Sequence, residues 1–406
     1  LASAGLWFQL EPQFLIRRSL RTELRKGTQV LAVREATTEL VAVLQNGPSL
    51  SLITNGHSMS GTAAPNQRYM RAFSHLPLVM TPSPERVLVI CFGVGNTLHS
   101  ASLHPSVKQL EIADLSKNVL EHAPWFAEAA NHDVLADPRV SVFINDGRQH
   151  LRMSAPESFD LITLEPPPIS HSGVSGLYTK EFYALARSRL KPGGFMTQWL
   201  PGYQVSEASV RALVRAFIEV FPQSVLLSGS GREMILMGTT GPALEFDPGQ
   251  VDRALAERPR VREDLERIML GTPTELVGTF VANQRTLAEA TEDTPALSDD
   301  RPTIEYRGLL DLLETRFPAD MVDVTQVSTW CPRCFLEGNP IPEFRLLPAY
   351  LAAFAQYYAS PSFLVTSALP RPASPTRFRI SNREELLAAS PYLRNVISSG
   401  QSGAAH

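Results

Sequence analysis

Cysteine, strong charge and long apolar runs are all scarce in this 406-residue chain, and each scarcity excludes a class of protein. Three cysteines are too few for a disulfide framework. The net charge is −4, and Arg17–Lys26 is the only strongly basic stretch, so no nucleic-acid partner is expected. No run of 18 apolar residues occurs, so we expect no membrane-spanning segment.

The cysteines also argue against a metal site. Cys91 follows an apolar run and is expected to be a small buried residue of a strand. Cys331 and Cys334 form a CxxC pair with no second CxxC and no neighbouring histidine pair. We therefore predict a local disulfide or two reduced thiols, and no bound metal.

The N-terminal segment allows two interpretations. The sequence begins with Leu1, and the apolar stretch Leu1–Leu15 precedes a basic group at Arg17–Lys26. One interpretation is membrane association through a preceding segment that is missing here. The other is an amphipathic helix of a soluble protein.

Residues 28–56 alternate apolar and polar side chains, and the pairs Asn46-Gly47 and Asn55-Gly56 interrupt the alternation. This pattern predicts a small antiparallel sheet built from hairpins. A helix is predicted over Gln67–Pro77.

From Arg86 onward, short apolar runs alternate with helix-like segments. Continuous apolar runs separated by helices predict a parallel sheet covered on both faces, here a doubly wound fold of about seven strands. The predicted strands are Val87–Cys91, Gln109–Ala113, Val140–Ile144, Phe159–Leu164, Phe195–Leu200, Val225–Leu227 and Met234–Met237.

Four regions follow from these patterns. We predict an N-terminal segment at 1–27, a small antiparallel β domain at 28–66, a Rossmann-like domain at 67–240, and a mainly helical C-terminal extension at 241–406. Within the extension, Val251–Leu270 and Leu346–Tyr358 are predicted to be helices.

A glycine turn follows the first strand of the predicted parallel sheet. Gly93-x-Gly95 lies between the strand and a helix that begins near Asn96. Glycines let the backbone approach a ligand, and a helix N-terminus offers free N–H groups. The third glycine of the dinucleotide fingerprint is replaced by Leu98, so a tight turn without a ligand also fits.

Acidic residues follow three more strands. Glu111 lies at the end of the second strand, where a carboxylate can accept hydrogen bonds from ribose. Asp146-Gly147 follows the third strand and could contact an adenine amino group. Glu165 follows the fourth and is our candidate for a general base. Each alone also fits a turn or a solvated strand end, but together they predict a nucleoside site.

Several segments carry a resemblance to a known family. The chain resembles the spermidine synthases, and within that likeness the spermidine-synthase-like domains of bacterial proteins that are often fused to membrane segments. The segments concerned are Asn55–Ser60, Ser74–Leu78, Cys91–Thr97, Asn131–Arg139, Asp146–Arg148, Glu165–Pro168, Leu177–Tyr183, Gln198–Pro201 and Ser298–Tyr306.

The resemblance implies a class I methyltransferase fold, a frequent homodimer, and S-adenosylmethionine or its decarboxylated form as co-substrate. It implies that the loop Gly93–Asn96 contacts the nucleoside, with Glu111 on ribose and Asp146-Gly147 on adenine. Tyr69 corresponds to a substrate-channel tyrosine and Glu165 lies near the family's catalytic aspartate. The side chains expected on the substrate side are Arg71, His171, Tyr178 and Gln198.

The chain departs from the family pattern at several of these positions. Val94 replaces an aspartate between the glycines, and Met70-Arg71 replaces His-Glu. Met59 replaces a glutamine, and Glu165-Pro-Pro-Pro lacks the second acid of Asp-x-x-Asp-Pro. Because polyamines are cations, lost carboxylates and a gained arginine would favour a neutral or anionic acceptor.

Three functions are therefore open at this point. The first is a transferase that alkylates an amine with decarboxylated S-adenosylmethionine, expected in the cytoplasm, with membrane association left open. The second is methyl transfer or intramolecular alkyl transfer on S-adenosylmethionine itself. The third is a non-catalytic nucleoside-binding protein.

Overall fold

This computed structural model describes residues 20, 24, 27–36, 39–169, 171–202, 204–230, 233–306, 317–336, 347 and 351. Two sheets organise these residues, one of four strands and one of eight. The smaller sheet comes first in the chain, and the larger one carries most of the core.

The four-stranded sheet is a series of antiparallel hairpins in chain order. Its strands are β1 (Gln29–Glu35), β2 (Leu40–Asn46), β3 (Ser49–Thr54) and β4 (His57–Gly61). Asn55 and Gly56 turn the chain with φ values of 51° and 81°, which asparagine and glycine adopt at low cost. The predicted hairpin sheet is confirmed, and β4 extends it past residue 56.

The eight-stranded sheet has the order β12-β10-β11-β9-β8-β5-β6-β7. Its strands are β5 (Arg86–Ile90), β6 (Gln109–Asp114), β7 (Val140–Ile144), β8 (Phe159–Leu164), β9 (Leu190–Pro201), β10 (Gln223–Ser230), β11 (Glu233–Thr239) and β12 (Phe280–Asn283). Strands β5 to β9 pair in parallel, and β10 to β12 join them antiparallel. The predicted Rossmann-like sheet is confirmed, with β12 as an eighth strand.

Helices cover both faces of this sheet. They are α1 (Ala64–Met80), α2 (Asn96–Ser102), α3 (Lys117–Glu121), α4 (Gly147–Met153), α5 (Lys180–Arg189), α6 (Glu207–Val220), α7 (Pro248–Glu257), α8 (Pro259–Arg267), α9 (Pro273–Val277), α10 (Gln284–Ala290) and α11 (Val327–Trp330). Among the described residues, none of the helices has the length and apolar character needed to cross a membrane.

Helix α1 is longer than the helix predicted over Gln67–Pro77. It continues through Pro77 to Met80, and twelve consecutive residues from Arg68 to Val79 are buried. Proline removes one helical hydrogen bond. Packing on the sheet at positions such as Phe73 and Leu76, both fully buried, outweighs that loss.

The C-terminal extension differs from its prediction in two respects, the first being that it supplies strand β12 to the large sheet. The single helix expected over Val251–Leu270 is two helices, α7 and α8, because Pro259 prevents a continuous helix and instead begins α8. The helix predicted over Leu346–Tyr358 lies outside the described residues, apart from Leu347 and Leu351. Cys331 and Cys334 form the local disulfide that was one of the two expected states.

Candidate active site

The loops after β5, β6, β7 and β8 surround a pocket of about 1160 Å³, including its open mouth. They leave the carboxyl ends of parallel strands on both sides of the β5–β8 pair, where the strand order reverses and open α/β sheets bind ligands. The small sheet closes the pocket with Leu52, Thr54, Met59 and Ser60. Its acidic lining side chains are Glu39, Asp114, Asp146 and Glu165.

The glycine turn lies where the sequence predicts it, but its two glycines are required for different reasons. Gly93 lines the pocket with φ of 56°, and a Cβ there would lie 3.0 Å from the Ser60 hydroxyl oxygen. Gly95 has φ of 85°, and its Cβ would lie 2.6 Å from side-chain atoms of Phe92 and Asn131. Gly93 therefore leaves space beside the ligand, whereas Gly95 permits the turn itself.

Two neighbours of these glycines face the core instead of the pocket. Val94 is fully buried among apolar side chains, so the position between the glycines does not reach the ligand. Asn96 is also buried, and its amide nitrogen lies 3.4 Å from the Met70 sulfur. The expectation that the Asn96 side chain binds the cofactor is wrong, because α2 directs it toward α1.

The prediction that Glu111 binds ribose is wrong as well. Its carboxylate accepts hydrogen bonds from the Arg86 guanidinium and lies 2.8 Å from His150 Nε2. Burial raises the pKa of Glu111, but the bonds to His150 and Arg86 outweigh it, so the pKa is lowered overall. Glu111 is a structural ion pair between β5, β6 and α4, outside the pocket lining.

Asp114 occupies the position that Glu111 was expected to fill. It ends β6 and lines the pocket. Its two carboxylate oxygens accept the backbone N–H groups of Phe92 and Ser116 at 2.7 and 2.8 Å. Burial raises its pKa to about 6. The carboxylate is thus held rigidly beside the glycine turn, with lone pairs left for a second donor.

Asp146 and Gly147 lie where the sequence predicts them. Asp146 caps α4, with one oxygen accepting the Gln149 N–H at 2.8 Å, and it lines the pocket together with Gly147. A Cβ at Gly147 would lie 2.3 Å from the Ile90 side chain. Only glycine therefore lets α4 start this close to β5.

Glu165 lines the pocket and meets Tyr69 of α1. The Tyr69 hydroxyl donates to Glu165 Oε1 at 2.5 Å. Burial raises the pKa of Glu165 well above its ordinary range, and the tyrosine hydrogen bond opposes this only in part. The sequence predicted Glu165 and Tyr69 separately, and the structure brings their side chains together.

A second carboxylate, which sequence reasoning missed, lies near this pair. Glu233 begins β11 and accepts a hydrogen bond from Trp199 Nε1 at 2.6 Å. Tyr69 packs on the same hairpin, since a Cβ at Gly229 would lie 2.3 Å from the Tyr69 Cβ. The charge of Glu233 is close enough to raise the pKa of Glu165 further. Glu233 is therefore a second carboxylate in the neighbourhood of Glu165.

The structure corrects the role expected of Arg71. Its guanidinium is 1% exposed and pairs with Asp264 at 2.6 Å, with further bonds to Gln67 and to the Ala130 carbonyl. Because this charge is neutralised inside the core, it does not favour an anionic acceptor in the pocket. Arg71 therefore does not oppose a cationic acceptor in the pocket.

The three remaining predicted substrate residues lie at different depths. His171 is partly exposed near the pocket rim, with its ring centroid 5.0 Å from that of His57. Tyr178 and Gln198 are fully buried. Burial raises the pKa of Tyr178 well above its ordinary range, and Gln198 partly opposes this. Neither Tyr178 nor Gln198 is among the residues that line the pocket, so the structure does not bring these two predicted substrate residues to its wall.

Cys91 is not the buried strand residue that we expected. It follows β5 with φ of 69°, is half-buried, and lines the pocket. Burial raises its pKa well above the ordinary range, and Asp114, Glu165 and Asp146 raise it further. The thiol is therefore protonated at neutral pH, and its nucleophilic thiolate form is disfavoured.

One of the three missed acids had a sequence signal. Asp114 follows Gly95 by nineteen positions, close to the spacing of about 20 residues in dinucleotide-binding folds. Glu233 had none, because a residue on an antiparallel hairpin reaches Glu165 only through tertiary packing. Glu39 had no sequence signal either. It lies just before β2 of the small sheet, lines the pocket, and accepts hydrogen bonds from Ser116 and Asn118.

Comparisons with known proteins show which proteins this chain is similar to. The family described as "Spermine/spermidine synthase domain" matches residues 66–228. The polyamine aminopropyltransferase of Streptococcus uberis is 31% identical over 225 residues, which cover 54% of this chain and 75% of that protein. Spermidine synthase 2 of Datura stramonium is 31% identical over 189 residues, 44% of this chain and 58% of the relative. The spermidine synthase structure from Thermotoga maritima is 20% identical with a TM-score of 0.48, over 59% of this chain and 88% of that one.

Proposed function

This chain belongs to the spermine/spermidine synthase family, and we propose that it transfers the aminopropyl group of decarboxylated S-adenosylmethionine to an amine. The observation that carries the proposal is the Tyr69–Glu165 hydrogen bond of 2.5 Å at the wall of the pocket that the nucleoside would occupy. The carboxylate is buried, hydrogen-bonded and next to the turn that would hold the nucleoside.

The nucleoside half of the substrate fits the carboxyl edge of the sheet. Asp114 is placed to accept hydrogen bonds from ribose hydroxyls, and Asp146 to accept one from the adenine amino group. Gly93 leaves room for the substrate beside Ser60. We assign these three residues to nucleoside binding. Glu111 and Asn96 are not assigned to it, because their side chains contact other residues of the protein.

The reaction needs little from the protein beyond alignment and a base. The acceptor nitrogen forms a bond to the carbon next to the sulfonium, the C–S bond breaks, and its electron pair stays on sulfur, leaving methylthioadenosine. The ammonium proton of the acceptor goes to Glu165. Aligned reactants and an excellent leaving group supply most of the rate.

The environment of Glu165 suits this proton transfer. Burial raises the pKa of the carboxyl well above its ordinary range, which makes the carboxylate a stronger base than a solvated one. A bound ammonium and a sulfonium bring positive charge that offsets the cost of burying the ionised form. Tyr69 fixes the carboxylate by donating to one oxygen, and this leaves the other oxygen for the amine.

We propose a diamine or longer polyamine as the acceptor class. Glu233 offers a second carboxylate near Glu165, held in place by Trp199. Two carboxylates match a chain with an ammonium at each end.

Two further features of the proposal concern the cell and the assembly. Decarboxylated S-adenosylmethionine is a cytoplasmic metabolite, so we place the active enzyme in the cytoplasm. The family resemblance implies a homodimer, which sedimentation of the purified chain would detect.

The decisive experiment is an assay of methylthioadenosine release with decarboxylated S-adenosylmethionine and a set of diamines. We expect turnover by the wild-type chain and a decrease of about 10²- to 10⁴-fold in Glu165→Gln, with nucleoside affinity retained. Glu157→Gln, an exposed glutamate in the turn before β8, is the matched control. Turnover with S-adenosylmethionine but none with the decarboxylated form would replace the proposal by the methyl-transfer alternative.

A further inference from the structure

A second pocket lies between the Rossmann-like domain and the C-terminal extension. Its space is about 480 Å³ when the open mouth is included. One wall carries His99 of α2 and His132, and the other is one face of α8 with Arg260, Glu263, Asp264 and Arg267. None of these residues lines the active-site pocket.

The backbone at this pocket is unusual. A single turn of π-helix, Ala127–Asn131, leads into His132 and Asp133, whose φ values are 48° and 55°. Consecutive left-handed residues other than glycine cost free energy, and such strain and π-helical turns concentrate at functional sites. The turn brings the His132 ring to 4.4 Å from the His99 ring, centroid to centroid.

Buried hydrogen bonds hold this strained turn in place. Asn131 donates to the carbonyls of Val94 and Ala123 at 3.1 and 2.8 Å, and its side-chain oxygen accepts the Asp133 N–H at 3.0 Å. The strained turn therefore contacts the glycine turn of the active site, because Asn131 is hydrogen-bonded to the carbonyl of Val94.

The charge of the pocket is positive at its surface. Asp264 is 3% exposed, and its carboxylate is neutralised from within by Arg71 and bonded to His75 and Ser100 at 2.9 Å each. Arg260 and Arg267 project from the same face of α8 and are exposed. Glu263 is the one exposed acid among the residues that line this pocket.

The imidazole rings of His99 and His132 are neutral hydrogen-bond donors in this pocket. Burial lowers the pKa of His99 to about 3, with Arg71, His132 and His75 also lowering it and Asp264 opposing them. Burial, Arg71 and Arg267 lower the pKa of His132, against Asp264 and Asp133. At neutral pH each ring is uncharged and keeps one N–H that can donate.

We propose that this pocket binds a small phosphate-bearing molecule, with Arg260 and Arg267 providing charge and His99 and His132 providing N–H donors. Arginine pairs with phosphate through two parallel hydrogen bonds, and neutral imidazoles add directional ones without competing for the charge. The volume exceeds what a bare phosphate needs, so the structure favours a phosphate ester over the free ion.

The test is calorimetric titration of the full chain with inorganic phosphate and with glycerol 3-phosphate. We expect saturable binding, tighter for the ester, and a loss of about tenfold or more in the double variant Arg260→Gln/Arg267→Gln. Glu263→Gln should tighten binding, because it removes the opposing charge. Arg262→Gln is the matched control: Arg262 lies on α8 but outside the pocket lining, and it pairs with Glu266.

Several outcomes would overturn the inference. They are the absence of saturable binding of either compound by the wild-type chain, equal weakening in Arg262→Gln and the double variant, or weaker binding in Glu263→Gln. Tighter binding of inorganic phosphate than of the ester would keep the site but assign it to the free ion. All four substituted side chains are exposed, so far-ultraviolet circular dichroism should show each variant folded. The result does not depend on aminopropyl transfer.

Discussion

Asp114 and Glu111 are three positions apart on one strand, yet they serve different purposes. Side chains alternate across a strand, so an odd separation places them on opposite faces. Glu111 meets Arg86 and His150 on one face, and Asp114 closes the loop after β5 beside the pocket. Local pattern alone does not say which face meets the ligand.

This difference predicts opposite behaviour of two conservative variants. Asp114→Asn should weaken binding of methylthioadenosine about tenfold, because an amide is a poorer acceptor for ribose hydroxyls than a carboxylate. Glu111→Gln should leave that affinity unchanged and lower the free energy of unfolding, because Arg86 loses its partner. Calorimetry and urea unfolding of both variants provide the measurements.

The raised pKa of Asp114 predicts that nucleoside affinity depends on pH. Burial raises the pKa of Asp114 to about 6, and the ionised form is the better hydrogen-bond acceptor. Nucleoside affinity should therefore rise as the pH increases from 5 to 7, and Asp114→Asn should abolish this rise. An unchanged profile in the variant would assign the titration to another group.

Glu233 leads to a prediction about acceptor preference. Glu233→Gln keeps an oxygen for Trp199 but loses the negative charge. We expect the KM for a diamine to rise about tenfold while the KM for a monoamine of equal length changes little. Equal changes for both amines would mean that Glu233 acts only through packing.

Among the elements, α8 and α1 are joined by the most deeply buried ion pair of the described residues. Arg71 and Asp264 are 1% and 3% exposed, and His75 and Ser100 add to the same carboxylate. The pKa of Asp264 lies far below its ordinary range, because the bonds to His75 and Arg71 outweigh the effect of burial. A lowered carboxyl pKa contributes stability above pH 4 that is lost as the pH falls.

Removing one partner of this pair should therefore be costly. Asp264→Asn leaves the Arg71 charge buried and should lower the free energy of unfolding by about 3 to 5 kcal/mol, measured in urea. The double variant Arg71→Met/Asp264→Leu should lose less, since no uncompensated charge stays in the core. A greater loss in the double variant would contradict this account.

At the scale of the whole molecule, the C-terminal extension shares one core with the Rossmann-like domain. Trp330 is 2% exposed and its ring lies 5.2 and 5.9 Å from those of Phe246 and Phe280. The apolar cluster that includes it reaches back to α1 and β5. The boundary predicted at residue 240 stays a prediction about sequence organisation, and no separate core is seen there among the described residues.

A shared core predicts cooperative unfolding. Trp330→Ala should cost about 3 to 5 kcal/mol, and near- and far-ultraviolet circular dichroism should still report one transition. Trp125→Ala, at a tryptophan that is 46% exposed, should have a much smaller effect. Two separate transitions in the wild-type chain would show that the extension folds on its own.

The sequence by itself determined the hairpin sheet, the parallel strands, the glycine turn, and the placement of Asp146 and Glu165 after their strands. These features follow from local alternation and from the rule that ligands bind at the carboxyl edge. Only the tertiary structure decided that Asp114 and not Glu111 lines the pocket, that Arg71 pairs with Asp264 in the core, and that Glu233 approaches Glu165. Asp264 lies 193 residues from Arg71, and contacts at such separations depend on how elements pack, which no local pattern encodes.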